Sequence, residues 1–390
     1  MDIKALAQQN ESYIIDRRRY YHACPELSGE EVETTKQLKA DLEAIGITEI
    51  TMMKTCNGLT AMIRGGKPGK TIGLRSDIDG LKVEEDTGLP FAAKNGNMHA
   101  CGHDNHICML LGAAKILNEV KQEICGNVKL IFQPAEEIAM GARWMMAEGV
   151  MDDVDALYGA HIWGELDAPL VDVTPGNRMA SCDIFEIKVE GVAAHASAPH
   201  LGVDAITAAA SIIVNLQQYV ARMNDPLNPL VITVGEIRGG KRFNILPDLV
   251  EMQGGVRTFS RERQEEHVIR QIAENTAEAL GAKATVAYRY MTSPIINDDP
   301  MLNRIAKSAV VKLYGEEGVG HLHTLMGSED FSVFTEGKPY FFAFIGSRNE
   351  QTGCTYTNHH AKYDVDESVL QRGAAVAAQF AVDYLSETAN

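Results

Sequence analysis

Thr71-Ile72-Gly73-Leu74-Arg75-Ser76-Asp77-Ile78-Asp79 is the stretch whose reading decides the fold. An apolar run of strand length ends abruptly in two aspartates. The pattern repeats. Asn127-Val-Lys-Leu-Ile-Phe132 runs into Gln133-Pro134-Ala135-Glu136-Glu137, and Asp155-Ala-Leu-Tyr-Gly-Ala160 runs into His161. Between the first two lies Met98-His99-Ala100-Cys101-Gly102-His103-Asp104-Asn105-His106. Continuous apolar runs fit strands buried on both faces, as in a parallel sheet covered by helices. In open α/β sheets, ligands bind beyond the carboxyl ends of the strands. The groups gathered there are carboxylate, imidazole and thiol, the donors of a borderline-soft divalent metal.

Working outward, residues 105–121 read as a helix with Ile107, Leu110, Leu111, Ala114 and Leu117 on one stripe. Alternating strands and helices over 70–163 imply a largely parallel sheet with helices on its faces. Near 175 the pattern changes at the turn Pro175-Gly176-Asn177. A strand (182–190), a helix (203–222), two strands (230–237 and 249–258), a helix (261–281) and a strand (283–290) follow. That β-α-β-β-α-β order is the split ferredoxin-like motif. Asn297-Asp298-Asp299-Pro300 marks the return to helix, strand (340–345) and helix (366–386). The expected fold is therefore α/β. Residues 1–178 and 293–390 form the catalytic domain, and residues 179–292 form an inserted α+β ferredoxin-like lid.

Composition sets bounds. A chain of 390 residues with 45% hydrophobic and 23% charged residues is ordinary globular material, long enough for two domains. A net charge of −17 speaks against nucleic acid or an anionic membrane as partner. No run approaches the roughly 20 apolar residues of a membrane helix. The first residues carry no signal-like apolar stretch. Seven scattered cysteines fit a reducing compartment, so the expected location is the cytoplasm.

Each chemical group is ambiguous alone. Cys101 and His103 are two apart and converge only on a turn, which Gly102 eases; singly they read equally well as a buried thiol and a capping imidazole. In Glu136-Glu137, neighbours at a strand end point different ways, so one can ligate while the other serves as base. A solvated acidic loop is the plain alternative. His161 alone reads as a core histidine, and His359-His360 as surface. His195 lies among small residues in Ala194-His195-Ala-Ser-Ala-Pro-His200. Asn244 and Arg257 suit a carboxylate clamp. Together Cys101, His103, Glu137, His161 and His359 make a five-donor set able to serve two metals if one donor bridges.

The order of these motifs resembles the M20 family of metallopeptidases and amidohydrolases, most closely its aminoacylase/hippurate-hydrolase branch. Arg17-Arg18-Arg19, His22, Pro25-Glu-Leu-Ser28, Arg75-Ser-Asp-Ile-Asp79, Asn97-Met-His-Ala-Cys-Gly-His-Asp104 and Phe132-Gln-Pro-Ala-Glu-Glu137 carry the resemblance. So do Asn244-Ile-Leu-Pro-Asp248, Gly327-Ser-Glu-Asp-Phe331 and the His359, Tyr363, Asp366-Glu367 series. It implies a zinc-peptidase-like domain that hydrolyses N-acyl-L-amino acids, with dipeptidase or carboxypeptidase action as the alternative. It implies two divalent ions per chain (Zn, Mn, Co or Ni) on Cys101, His103, Glu137, His161 and His359. Glu136 would be the general acid/base. Asp77 would orient a ligand, with Asp79 its rival. His195 would be an oxyanion donor, in some members from a partner subunit, and Asn244 with Arg257 would hold the substrate carboxylate. A homodimer or higher homo-oligomer is expected. Ile138, Lys82 and Ala361 depart from the usual Gly, Pro and Pro, so substrate identity is the open question. A thiol-redox role for Cys101 and Cys108 fails on spacing, since seven residues is not the C-x-x-C pair.

Overall fold

The computed structural model describes residues 1–262 and 264–389. The chain divides into two compact units. The first comprises Met1–Arg178, Asn297–His323 and Asp330–Asn390; the second comprises Met179–Ile296 and Thr324–Glu329.

The first unit is built on an eight-stranded sheet whose four central strands run parallel. In spatial order these are Cys125–Gln133, Lys67–Asp77, Ala156–Asp167 and Tyr340–Arg348. Every residue from Thr71 to Asp77 is buried, as are the first eight of Tyr340–Arg348. That is the physical reason for the unbroken apolar runs: both faces of the central strands are covered. The expectation of a largely parallel sheet holds, with antiparallel pairs added at the margins. Ile50–Met52 and Leu59–Arg64 pair antiparallel on one side, and Val171–Asp172 pairs antiparallel with Tyr340–Arg348 on the other.

The helix that follows the Cys101 turn runs His103–Val120 and is buried almost all round, not on one stripe. Glu11–His22 and Leu370–Glu387 pack on it, so its second face is interior as well. Gly112 permits this. A β-carbon there would stand 2.7 Å from the Ile14 side chain and 3.0 Å from that of Ala374.

The second unit has the order strand Cys182–Glu190, helix Ala205–Gln218, strands Leu230–Gly239 and Leu249–Thr258, helix Glu265–Ala279 and strand Lys283–Thr292. All pairings in its four-stranded sheet are antiparallel, with Cys182–Glu190 and Leu249–Thr258 in the middle. This is the ferredoxin-like arrangement. The strands alternate buried and exposed residues because helices cover one face only. A small two-stranded ribbon pairs Ala194–His195 with Ile245–Leu246. Thr324–Glu329, which the sequence reading leaves with the outer domain, belongs here: Ala180 N–H donates to the carbonyls of Leu325 and Gly327. Backbone bonds of this kind leave no trace in the composition of either segment.

Candidate metal centre and active site

The site assembles beyond the central strands of the first unit. Asp77 is the last residue of its strand, and Glu136 and Glu137 follow Gln133 by three and four residues. His161 is not at a strand end, as its apolar run implied. Its strand continues to Asp167 against Tyr340–Arg348, with His161 opposite Phe344. On the other side, however, pairing with Lys67–Asp77 stops at Arg75 opposite Gly159. His161 therefore lies two residues past the last paired position, level with Asp77 at the end of its neighbour.

Gly102 makes the Cys101–His103 turn. Its φ is +95°, and a β-carbon would stand 2.6 Å from the Ile162 side chain, so only glycine fits. The Cys101 sulfur lies 3.4 Å from His161 Nε2 and 3.3 Å from His359 Nε2. His359 Nε2 is 3.7 Å from Glu137 Oε1, and His103 Nε2 is 3.9 Å from the same oxygen. One ligand atom each from Cys101, His103 and His161 lie within 4.8 Å of one another, and so do those from Cys101, Glu137 and His359. Cys101 is common to both triads.

The imidazoles are held from behind. His103 Nδ1 lies 2.9 Å from the Asp79 carbonyl and 3.1 Å from its carboxylate. His161 Nδ1 lies 2.7 Å from the Ile162 carbonyl. A nitrogen facing a carbonyl must donate, which leaves each Nε2 lone pair facing the cluster. The orienting partner of His103 is thus Asp79, steadied by Ser28 Oγ at 2.7 Å and the Glu137 N–H at 3.1 Å. Asp77 instead receives Arg75 at 2.7 Å and sits 2.5 Å from His106 Nδ1. His106 had no role in the sequence reading. Its spacing of three from His103 on one helix is the signal that could have found it.

His359 is the member of its pair that enters the cluster. His360 stacks on Tyr356 with ring centres 4.4 Å apart and accepts the Lys362 N–H. His359 has a φ of +70°, and Ala135, just before the two glutamates, has +53°. Non-glycine residues hold such conformations only where the surroundings impose them, and they gather at functional sites. Here the His359 N–H is bound by the Ala100 carbonyl and the Ala135 N–H by Glu31 Oε1. Glu136 accepts the Asp330 N–H at 3.3 Å, while the Asp330 carboxylate receives Gln133 and the Ala142 N–H. Gly327-Ser-Glu-Asp-Phe331 had been quoted as a motif without a task, and this bond provides one.

The residues present fit a divalent cation. His103 Nε2 and Glu137 Oε1 are both buried without a hydrogen-bond partner, an arrangement that costs free energy unless something binds them. Burial opposes a charged His103, yet Asp77, Asp79 and Glu137 outweigh it and push its pKa up to about 10. Burial pushes Glu137 up to about 7, and holds His161 well below the usual imidazole range beside His106. A carboxylate-rich pocket that retains a proton so firmly calls for positive charge, which a metal ion supplies. Neutral His161 keeps its lone pair for ligation.

His195, Asn244 and Arg257 belong to the second unit. His195 is exposed; its Nδ1 accepts the Ser197 N–H at 3.1 Å, which places the ring proton on Nε2. Asn244 is adjacent, its carbonyl accepting the Ala196 N–H, and its Oδ1 is buried without a partner. Arg257 donates to Ser328 at the other end of the Leu249–Thr258 strand. Leu249 and Arg257 alone are about 26 Å apart at ordinary strand rise. Asn244 lies in the connection between Gly239 and Leu249, at the end of that strand away from Arg257.

Fold and site define a metal-dependent hydrolase acting on amide bonds. Residues 73–383 match Peptidase family M20/M25/M40, and the chain belongs to that family. It is 40% identical over 375 residues to the N-acetylcysteine deacetylase of Bacillus subtilis (strain 168), covering 95% of this chain and 96% of that one. It is 37% identical over 334 residues to the N-acyl-L-amino acid amidohydrolase of Geobacillus stearothermophilus, covering 85% and 90%. The crystal structure of a Bacillus subtilis protein described as a dinuclear metal binding peptidase from the M20 family superposes with a TM-score of 0.85 at 35% identity, over 98% of this chain and 99% of the other.

Proposed function

We propose that this protein hydrolyses the amide bond of N-acyl-L-amino acids, releasing a carboxylic acid and a free amino acid. Cys101, His103, Glu137, His161 and His359 would hold two divalent cations, their ligand atoms gathered as Cys101, His103 and His161 and as Cys101, Glu137 and His359. The observation that carries the reading is the Cys101 sulfur between two imidazole Nε2 atoms, at 3.4 and 3.3 Å. When bound, such ions polarise a carbonyl and acidify water.

The chain's own groups do the rest. Glu136 removes the proton of the attacking water and returns it to the leaving amine. The Asp330 N–H on Glu136 Oε1 fixes the direction in which that carboxylate works. His195, with its proton on Nε2, donates to the oxygen that gains charge as the carbonyl carbon becomes tetrahedral. Arg257 offers a planar fork for the substrate carboxylate. The separation of Arg257 from His195 and Asn244 supports a homodimer in which one copy lends His195 and Asn244 to the other's substrate. Seven scattered cysteines support a reducing, cytoplasmic setting.

The test is hydrolysis of a panel of N-acetyl amino acids, hippurate and dipeptides, each with added Zn, Mn, Co or Ni. Chelator-sensitive release of amino acid from the N-acyl members is expected. Cleavage confined to dipeptides would replace this reading with a dipeptidase.

A further inference from the structure

The loop before His359 does more than present a ligand. The Asn358 side chain donates from Nδ2 to the Cys101 carbonyl at 2.8 Å and to the Ile162 carbonyl at 3.2 Å. Its Oδ1 accepts the Gly164 N–H at 3.0 Å. The orientation of the carboxamide is determined by its partners: two carbonyls need a donor and one N–H needs an acceptor.

The place of these bonds explains their use. Ile162 and Gly164 lie on the strand edge left open where Lys67–Asp77 has ended. Groups two residues apart on a strand face the same way, so that edge presents the Ile162 N–H and C=O and the Gly164 N–H. His106 Nε2 takes the first at 2.8 Å, and Asn358 takes the other two. The carboxamide thus stands where the peptide group of a further strand would stand. Gly164 permits the approach, because a β-carbon there would be 2.8 Å from the Tyr356 carbonyl and 3.2 Å from Thr357 Cα.

We propose that Asn358 is a positioning residue that sets the spacing of Cys101, His161 and His359 by fastening the Cys101 turn and the His161 strand to its own loop through one carboxamide. The proposal rests on the reading of those three residues as metal ligands. Donor atoms that would hold two neighbouring cations tolerate little drift, and a side chain bonded to both the Cys101 turn and the His161 strand transmits their separation directly.

The experiment compares wild type with Asn358→Leu, which keeps the approximate volume and removes all three bonds. Amide exchange is followed across residues 160–165, and Mn2+ and Zn2+ are titrated by calorimetry. The expected result is at least tenfold faster exchange at Gly164, at least tenfold weaker binding of the second cation, and a lower kcat with KM within twofold. Two cation affinities equal to those of wild type would overturn the proposal. Should Asn358→Leu fail to fold, Asn358→Ser, too short to span the three groups, is read in the same way. If wild type itself binds neither cation, the ligand reading fails. Gly164 exchange then decides the fastening alone, and an unchanged rate overturns it.

Discussion

The two units hold their chemical groups in opposite ways. In the first, four of the five candidate ligands are braced: His103 by Asp79, His161 by the Ile162 carbonyl, and the backbone N–H groups of His359 and Glu137 by Ala100 and Asp79. In the second, His195 sits exposed on a two-residue strand with its neighbour Ser197 on Nδ1, and Asn244 keeps a buried oxygen unpartnered. A cluster that must fix donor atoms to within a fraction of an ångström needs a supporting shell. Groups that meet a substrate after it arrives do not. On the proposed reading, the braced groups of the first unit would hold the cations, and the unbraced groups of the second would meet the substrate.

The contrast breaks most visibly at Cys101. Cys101→Ala removes the donor common to both triads, so activity should fall to background and retained metal should drop below one per chain. Full activity with intact metal content would return Cys101 to a packing role. Glu136→Gln is the next largest effect. Turnover should fall by about 10²–10⁴-fold, the usual range for a general base, with metal content unchanged. Loss of metal in this variant would make Glu136 a ligand and leave the base unassigned.

His195→Ala sharpens the other side. A lost oxyanion donor costs about 10²–10³ in kcat. Because His195 is exposed and its ring bonds to its near neighbour Ser197, the melting temperature should move by less than a degree or two. A large fall in melting temperature would mean that the ribbon is a structural support.

The smallest effect is on stability and concerns the shell. Burial pushes Glu31 up to about 7, while its carboxylate still accepts the Gly29 and Ala135 N–H groups. The folded protein holds this proton more tightly than the unfolded chain, whose value is 4.5. Stability from this group is therefore full below pH 4.5 and declines as pH rises through 7. Glu31→Gln should flatten the pH 5–8 slope of unfolding free energy by about 1–3 kcal/mol. An identical slope would place the Glu31 pKa in the ordinary range.

Much of this was legible because strand ends declare themselves. Apolar runs terminating at Asp77, Glu136-Glu137 and His161, with Gly102 between Cys101 and His103, mark most of the candidate donors, while His359 lies in a polar stretch that reads as surface. The β-α-β-β-α-β order of the insert was equally plain. Relations across the fold were hidden. Asp79 rather than Asp77 behind His103 depends on which carboxylate faces Nδ1, and both residues end the same run. His161 as an interior strand residue depends on the length of the strand beside it. Asn358 acts through three backbone groups whose own side chains are uninformative, so nothing in its neighbours marks it.

The central claim is that Cys101, His103, Glu137, His161 and His359 would together hold two cations. Its most direct test is metal stoichiometry by elemental analysis after dialysis of the wild-type protein against Zn2+ or Mn2+. The account predicts two ions per chain, released together with amidase activity by a chelator. One ion or none, with activity intact, would contradict it.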